Sequence, residues 1–264
     1  MVLLDRPFEP DIEVGALEVK RVLHLSHSSE LSLRLGWLAI LSKVAALAAL
    51  LLAGSARAGD PLEIWPEANV YVRLGPTTRL YFVTANTRGK ESEVRTWELA
   101  GYFDLTLNPL FSSLQEDWER KKYIWVRIGY DHLAKVESGS LVAPENRGIV
   151  AFHARAHLPA EIVLEGRARA DLRWIGGDYS TRYRLRIEVN RTFTVGDHAV
   201  TPYFQAETFY DTRYDGWARQ LYQLGVEIQV IGTFNVEPYV ARQVDTLPEA
   251  SGLWALGLVI RFYL

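Results

Sequence analysis

The chain has 264 residues, no cysteine, and a formal net charge of −3 from 29 basic and 32 acidic residues. Without cysteine there can be no disulfide framework and no thiolate site, and the near-balanced charge argues against a nucleic-acid-binding protein. A mean hydropathy near zero excludes a polytopic helical membrane protein. It is compatible with a transmembrane β-barrel, in which only alternate residues contact lipid.

The first recognisable segment is an apolar run, Val44–Ala53, which follows Lys43 and precedes the small-residue site Ala56-Arg57-Ala58. This order predicts a signal peptide over residues 36–58 with cleavage after Ala58. The alternative is an anchoring helix, but the apolar run is only half of the roughly 20 residues that span a bilayer. Residues 1–35 are too long and too acidic for a leader. They are left as an unassigned extension, which a start site placed too far upstream would explain.

From residue 66 onward, large apolar residues recur at every second position, which is the periodicity of a β-strand. The terminal strand shows the pattern most clearly, with Trp254, Leu256, Leu258, Ile260, Phe262 and Leu264 on one face. The clearest of the alternating runs cover residues 70–74, 97–107, 124–131, 152–158, 164–174, 182–190, 203–211, 222–230 and 254–264.

Connections between these runs are alternately short and long. Short turns are predicted at 74–77 and 231–233, and longer polar loops at 136–147, 175–181 and 244–251. A short helix or plug is expected at 109–120, where Leu110, Phe111, Leu114 and Trp118 have helical spacing. Eleven strands can be counted. Because single-chain bacterial barrels normally have an even number, about twelve strands are predicted, with ten as the alternative.

We interpret the apolar face as lipid-facing. The strands exceed the five or six residues usual in soluble sheets, their polar faces carry dense Arg and Glu, and aromatic residues such as Trp174, Tyr183, Tyr210 and Trp254 lie near strand ends. The predicted fold is therefore an all-β, antiparallel, up-and-down transmembrane barrel over residues 59–264. The alternative is a soluble periplasmic β-sandwich that acts as a binding protein.

Several segments resemble an uncharacterised bacterial outer-membrane β-barrel family known only as a domain of unknown function. They are residues 144–147 (PENR), 182–188 (RYRLRIE), 201–207 (TPYFQAE) and 209–214 (FYDTRY). The similarity extends from Trp65 to Leu264 and is most specific in the later strands. The resemblance implies an outer-membrane location and supplies no catalytic residues. Many related barrels end on Phe, whereas this chain ends Phe262-Tyr263-Leu264; we expect Phe262 and Leu264 to form the signal for the barrel-insertion machinery.

If the apolar faces contact lipid, the alternate residues line the lumen. Successive strands then bring many basic and acidic side chains into one space: Arg155, Arg167, Arg169, Arg173, Arg182, Arg184, Arg186, Glu165, Asp171, Glu188, Glu207, Glu227 and Glu237. Two interpretations follow. In the favoured one, internal ion pairs fill a structural barrel. In the other, the arginines make a small channel that prefers anionic solutes.

An enzyme is a third class of function. His132 follows Asp131 near Ser138 and Ser140, and this is the one Ser/His/Asp grouping that the sequence offers to an envelope lipid-modifying enzyme. No local motif supports it. His153 and His157 lie about 13 Å apart along a strand, too far to hold one metal ion. We therefore predict no catalytic residues, no metal site and no cofactor. The expected partners are outer-membrane lipid, the insertion machinery and small anionic solutes.

Overall fold

The computed structural model describes residues 61–89, 95–107, 124–137, 140–246 and 252–264. The predicted leader (36–58), the extension (1–35) and the predicted helix (109–120) lie outside these ranges. Within them the chain is almost entirely β-structure. The strands are β1 (Leu62–Arg73), β2 (Thr78–Gly89), β3 (Arg95–Thr106), β4 (Ile124–Glu137), β5 (Ser140–Leu158), β6 (Ile162–Ile175), β7 (Asp178–Arg191), β8 (Phe193–Val195), β9 (His198–Asp211), β10 (Gly216–Ile231), β11 (Phe234–Asp245) and β12 (Leu253–Tyr263), with a 3₁₀ turn at Pro159–Glu161.

The strands form a closed barrel, which confirms the predicted fold class and rules out the β-sandwich. Of the twelve strands, β8 pairs only with β9, and the remaining eleven form the ring. Neighbouring strands are antiparallel, except that β1 and β12 close the ring in parallel, from Leu62 opposite Trp254 to Tyr71 opposite Tyr263. A ring with an odd number of alternating strands must contain one parallel pair. The even-number rule therefore does not hold here.

The closure places the two ends of the barrel wall at opposite rims. We call the rim where β1 begins the N rim and the rim where β12 ends the C rim. At the C rim the last residue continues the seam, because the Leu264 amide donates to the Tyr71 carbonyl at 2.8 Å and the Arg73 amide donates to the Leu264 carbonyl at 2.9 Å. Backbone hydrogen bonds between β12 and β1 thus continue through Leu264, one residue beyond the end of β12.

Two of the predicted long loops are wrong, because the strands continue through them. β4 reaches Glu137 and β5 begins at Ser140, so the polar stretch 136–147 belongs mainly to a hairpin. β6 and β7 are joined by Gly176 and Gly177 alone, with φ of 61° and 99°. Tight hairpin turns favour positive φ at both central residues, which glycine adopts without steric cost. The third loop, 244–251, falls mostly outside the described residues.

Side chains alternate between an apolar outer face and a polar inner face. Ile187 is 60% exposed and Leu185 52% exposed, whereas Asp171 and Asp211 are fully buried. This is the reverse of a soluble protein, in which large apolar side chains lie inside. Within the described residues, no helix is long and apolar enough to cross a membrane.

Candidate functional site: the barrel lumen

The described residues enclose a large cavity of about 1720 Å³ in the interior of the barrel. Its lining includes Glu63 and Leu253 near the N rim and Gly232 and Leu264 near the C rim. Side chains from both rims therefore contribute to the same space. An eight-stranded barrel is just wide enough for side chains to fill it, and barrels of 16 to 18 strands hold an aqueous channel. Eleven strands fall between these cases.

The structure brings most of the predicted lumen residues together. The following eleven line the cavity: Arg155, Arg167, Arg169, Arg182, Arg184, Arg186, Glu165, Glu188, Glu207, Glu227 and Glu237. Arg173 and Asp171 also point inward but lie buried against the wall, at 5% and 0% exposure. They form ion pairs beneath the lining side chains.

Six of these arginines form a continuous surface on β5, β6 and β7, which we call the arginine wall: Arg155, Arg167, Arg169, Arg182, Arg184 and Arg186. The residues come together because β6 and β7 pair in register, with Arg167 opposite Arg186 and Arg169 opposite Arg184. Like charges directly opposite each other are unfavourable. Acidic partners must therefore offset the repulsion.

The acidic partners are carboxylates that each bind two arginines. Glu207 accepts from Arg167 at 2.5 Å and from Arg184 at 2.9 Å. Glu165 accepts from Arg155 at 2.8 Å and from Arg186 at 2.9 Å. Guanidinium groups suit this arrangement because their donors form a planar fork.

Short aspartates complete the network at the wall. Asp211 accepts from Arg173 at 2.5 Å and from Arg182 at 2.9 Å. Asp131 on β4 accepts from Arg169 at 2.8 Å, so this pair skips over β5. The long arginine side chains thus link strands that share no backbone hydrogen bonds.

The other side of the lumen is built from aromatic rings. Tyr263, Tyr71, Tyr81 and Tyr102 stack in sequence across β12, β1, β2 and β3, with centroid separations of 4.8, 4.4 and 5.2 Å. We call these four residues and Tyr239 the tyrosine wall. Its Tyr71–Tyr263 contact crosses the parallel seam. Stacked aromatic pairs add about 0.5–1.5 kcal/mol beyond their buried area, so the stack reinforces the closure.

Glycines on neighbouring strands make room for the tyrosines. Tyr239 is opposite Gly257 in the β11–β12 pair, and Tyr102 is opposite Gly129 in the β3–β4 pair. At both glycines a Cβ atom would collide with the tyrosine ring. The ring therefore covers exposed backbone where no side chain could fit.

Charges on this side form two smaller networks. Asp104 accepts from both Arg79 and Arg127 at 2.7 Å, and the Arg127 guanidinium lies 4.3 Å from the Tyr81 ring centroid. Arg261 on β12 binds Glu227 at 2.6 Å and also pairs with Glu237.

The structure separates Asp131 and His132, the two members of the possible Ser/His/Asp grouping whose side chains are described. Adjacent residues of a strand point to opposite faces, so Asp131 lies inside the barrel while His132 lies on the outer face. The His132 Nδ1 is 2.8 Å from the Asn146 Oδ1. The side chains of Ser138 and Ser140 lie outside the described residues. Among the described residues, no group of three or more His, Asp or Glu side chains is arranged to hold a metal ion.

Of the predicted insertion signal, Phe262 lies on the outer face near the C rim and Leu264 lies at the rim itself. Phe262 is 39% exposed and its ring centroid is 5.2 Å from that of Phe234. Leu264 is 68% exposed. Its function in insertion stays a prediction.

Sequence reasoning missed the lumen residues contributed by the early strands, above all Arg79, Tyr81, Asp104 and Arg127. On β2 the inner face holds Tyr81 and Val83, while the outer face holds Thr84 and Arg88. Polarity therefore does not alternate cleanly along this strand. The charged pattern of β3 and β4, with Asp104 and Arg127 at alternate positions, was the available signal.

Comparison with known sequences places the chain in a family. The profile described as protein of unknown function (DUF2490) matches residues 62–251. The chain belongs to this family. The match confirms the resemblance to an uncharacterised barrel family, and it covers the barrel from β1 to the end of the β11–β12 connection. No curated protein matches the chain.

Among solved structures, this DUF2490 barrel is similar to the beta domain of the Bordetella autotransporter BrkA. The two share 13% sequence identity with a TM-score of 0.44, over 69% of this chain and 82% of that chain.

Proposed function

We propose that the protein is an outer-membrane barrel, exported after cleavage near Ala58. Support comes from its outer surface, where large apolar side chains such as Leu99, Ile187 and Leu256 are 49–66% exposed. A surface this apolar is suited to lipid. Exposed Trp and Tyr side chains cluster toward the N rim, where Trp97, Tyr179 and Trp217 are 54–57% exposed. Such residues favour the boundary between lipid and water.

Within that membrane we propose that the barrel is a narrow pore for small polar solutes with a preference for anions. The observation that carries this proposal is the cavity of about 1720 Å³ lined by side chains from both rims. Its lining is polar and charged, so water would fill it. A barrel that served only as a scaffold would need no such space.

The preference for anions follows from which charges reach the cavity. Among the described residues, its lining includes 12 Arg and 9 Glu but no Asp. Asp104, Asp131, Asp171 and Asp211 are all 0% exposed. The short aspartate side chains thus stay close to the barrel backbone, while the arginine guanidinium groups extend over them into the cavity. A solute would meet more guanidinium than carboxylate, and a cavity with low-dielectric walls strengthens such fields.

Single-channel recording tests the pore. Protein purified from membranes in detergent would be inserted into a planar bilayer under a salt gradient. We expect discrete conductance steps and a reversal potential of the sign for anion preference. Replacing Arg184 with Glu should reduce that preference or reverse it, because Arg184 lines the cavity. The control is Arg213→Glu, which makes the same charge change in the exposed β9–β10 turn. Folded, heat-modifiable protein that never conducts would overturn the proposal.

A structural barrel is the second candidate, and the ion pairs favour it. Every arginine of the arginine wall has an acidic partner within 4 Å. Such a network rigidifies a wall whether or not anything passes along it. If this is the function, removing a partner carboxylate lowers stability and there is no current to alter. Comparing unfolding with conductance in the same variants therefore separates the two candidates.

A further inference from the structure

The outer face of the barrel contains a groove of about 550 Å³ that crosses β2 to β6. On its N-rim side, five outward-facing residues pair in register from strand to strand: Phe82, Gly101, Tyr130, Gly148 and Leu172. Large side chains thus alternate with glycines, and the glycines leave gaps in the row. The next row toward the C rim has a side chain at each position: Leu80, Phe103, Ile128 and Val150. We call the depression between these two rows the outer groove.

The two glycines of the outer groove are not required by the barrel itself. A Cβ atom at Gly101 would lie 3.6 Å from the Phe82 ring, and one at Gly148 would lie 3.7 Å from the Leu172 Cβ, both ordinary contact distances. Neither glycine has a positive φ. They differ from Gly257, where a Cβ atom would collide with an inward-facing ring. A glycine inside a strand often marks a place where a ligand approaches the backbone closely.

A polar cluster adjoins the outer groove on the side of the N rim. On the outer face, His132 is the next residue after Tyr130 toward that rim, and Asn146 is the next after Gly148. The Asn146 Oδ1 accepts from the Tyr130 hydroxyl at 2.6 Å and lies 2.8 Å from the His132 Nδ1. Within the described residues, the Asn146 amide N–H groups have no acceptor. An unsatisfied donor on a lipid-facing surface is unfavourable, so these groups need an acceptor from outside the barrel.

The polar cluster lies at the level of exposed aromatic side chains. Asn146 is opposite Trp174, and Trp174 is opposite Tyr179. Both aromatic side chains are exposed, with ring centroids 5.3 Å apart. Trp and Tyr of membrane proteins favour the level of the lipid headgroups. The outer groove therefore begins next to that level and lies on its hydrocarbon side.

We propose that the outer groove binds one phospholipid molecule. An acyl chain covers Gly101 and Gly148, and an oxygen of the phosphodiester headgroup accepts from the Asn146 amide. A phospholipid is favoured over a second copy of the barrel because it supplies both parts together, with acceptor oxygens at the headgroup level and a hydrocarbon chain directly beside them. This proposal rests on the proposed location in the outer membrane and goes beyond the pore.

Native mass spectrometry of the barrel, purified from membranes in detergent, tests the lipid site. The probes are palmitoyl-oleoyl phosphatidylethanolamine and the diacylglycerol with the same two chains, which lacks the phosphodiester. We expect one phospholipid to remain bound to each barrel and the diacylglycerol to be retained less.

Two variants change the two halves of the site separately. The Gly101→Leu/Gly148→Leu double variant fills the outer groove and should abolish retention. Asn146→Leu removes the donors, leaves both glycines in place and should weaken binding about fivefold, the usual effect of losing one hydrogen bond. The control is Gly166→Leu, which adds the same side chain to the outer face of β6 away from the outer groove, where nothing lies within 4 Å of the Cβ position. Heat-modifiable migration confirms that each variant is folded.

The outcomes separate this proposal from the membrane location. Equal retention of the phospholipid by the wild type and by folded Asn146→Leu or double-variant protein overturns the lipid site. So does a wild-type dimer that the double variant abolishes, because a second copy would then occupy the outer groove. A barrel that requires detergent but retains no phospholipid overturns the lipid site alone. A barrel that stays in solution without detergent overturns both.

Discussion

The two sides of the lumen are held together by different chemistry. On the arginine wall, long side chains reach over intervening strands, as Arg169 does to Asp131 and Arg167 to Glu207. On the tyrosine wall, the rings stack on rings and glycines of adjacent strands, as Tyr239 covers Gly257. Ion pairs thus connect strands that share no backbone hydrogen bonds. Tyrosine rings packed over glycines instead fix the register between strands that are hydrogen-bonded to each other. The seam between β1 and β12 lies on the side where register is fixed.

The largest effect is expected where a ring has no room to move. In Gly257→Val, the new side chain would occupy the position of the Tyr239 ring, and we expect loss of the folded, heat-modifiable form. Electrophoresis of unheated samples measures it. A Gly257→Val/Tyr239→Ala double variant should restore part of the folded protein. Gly166→Ala is the matched control because nothing lies within 4 Å of its Cβ position; a folded Gly257→Val barrel would contradict the register argument.

The next effect concerns a shared carboxylate. Replacing Asp211 with Asn leaves Arg173 and Arg182 without their common charged partner, although Arg173 keeps Glu145. Breaking a buried pair typically costs about 3–5 kcal/mol, and we expect a loss at the lower end of that range. Urea unfolding of the barrel in lipid vesicles measures it. Asp197→Asn should change the free energy of unfolding by less than about 0.5 kcal/mol, as exposed substitutions usually do.

A smaller loss of stability is expected at the seam. In Tyr71→Ala the contacts with Tyr81 and Tyr263 disappear, at centroid separations of 4.4 and 4.8 Å. Because Tyr71 lines a cavity and is not fully enclosed, we expect about 2 kcal/mol, below the 3–5 kcal/mol of buried aromatic truncations. Tyr71→Phe keeps the ring and should be nearly neutral. If both variants are equally destabilised, the stack does not hold the seam.

The smallest effect is electrical and distinguishes the two walls directly. Arg169→Gln removes a positive charge from the arginine wall, and Glu67→Gln removes a negative charge from β1, on the side of the tyrosine wall. We expect reversal potentials that shift in opposite directions, toward cations in the first variant and toward anions in the second. Shifts of the same sign would mean that the two sides do not act as separate charged surfaces.

Much of the barrel could be predicted from the sequence because successive side chains of a strand point to opposite faces. Assigning one residue to a face therefore assigns its neighbours along the strand. Once apolar residues such as Leu185 and Ile187 are assigned to the outer face, Arg184 and Arg186 must point inward. Partners could not be predicted in the same way. Arg169 binds Asp131, 38 residues away and two strands distant, and that choice depends on strand tilt and side-chain reach.

The number of strands in the ring also could not be predicted from the pattern of neighbouring residues. Counting from the sequence gives eleven strands, but whether β1 meets β12 in parallel or a further strand intervenes depends on the closed ring. The tyrosine wall was missed for a related reason. Tyr71 and Tyr263 are 192 positions apart and become neighbours only when the ring closes. Predicting that contact requires the pairing across the seam.

The parallel seam also determines whether this chain could be circularly permuted. In a barrel with an even number of strands, both ends of the wall lie at one rim, and a short turn could join them to make a circular permutant. Here β1 begins at the N rim and β12 ends at the C rim. A linker from Leu264 to Leu62 would have to run the length of a strand, roughly 40 Å for twelve residues at about 3.3 Å each. It would have to pass through the lumen or along the outer surface, so a short linker cannot produce a circular permutant of this barrel.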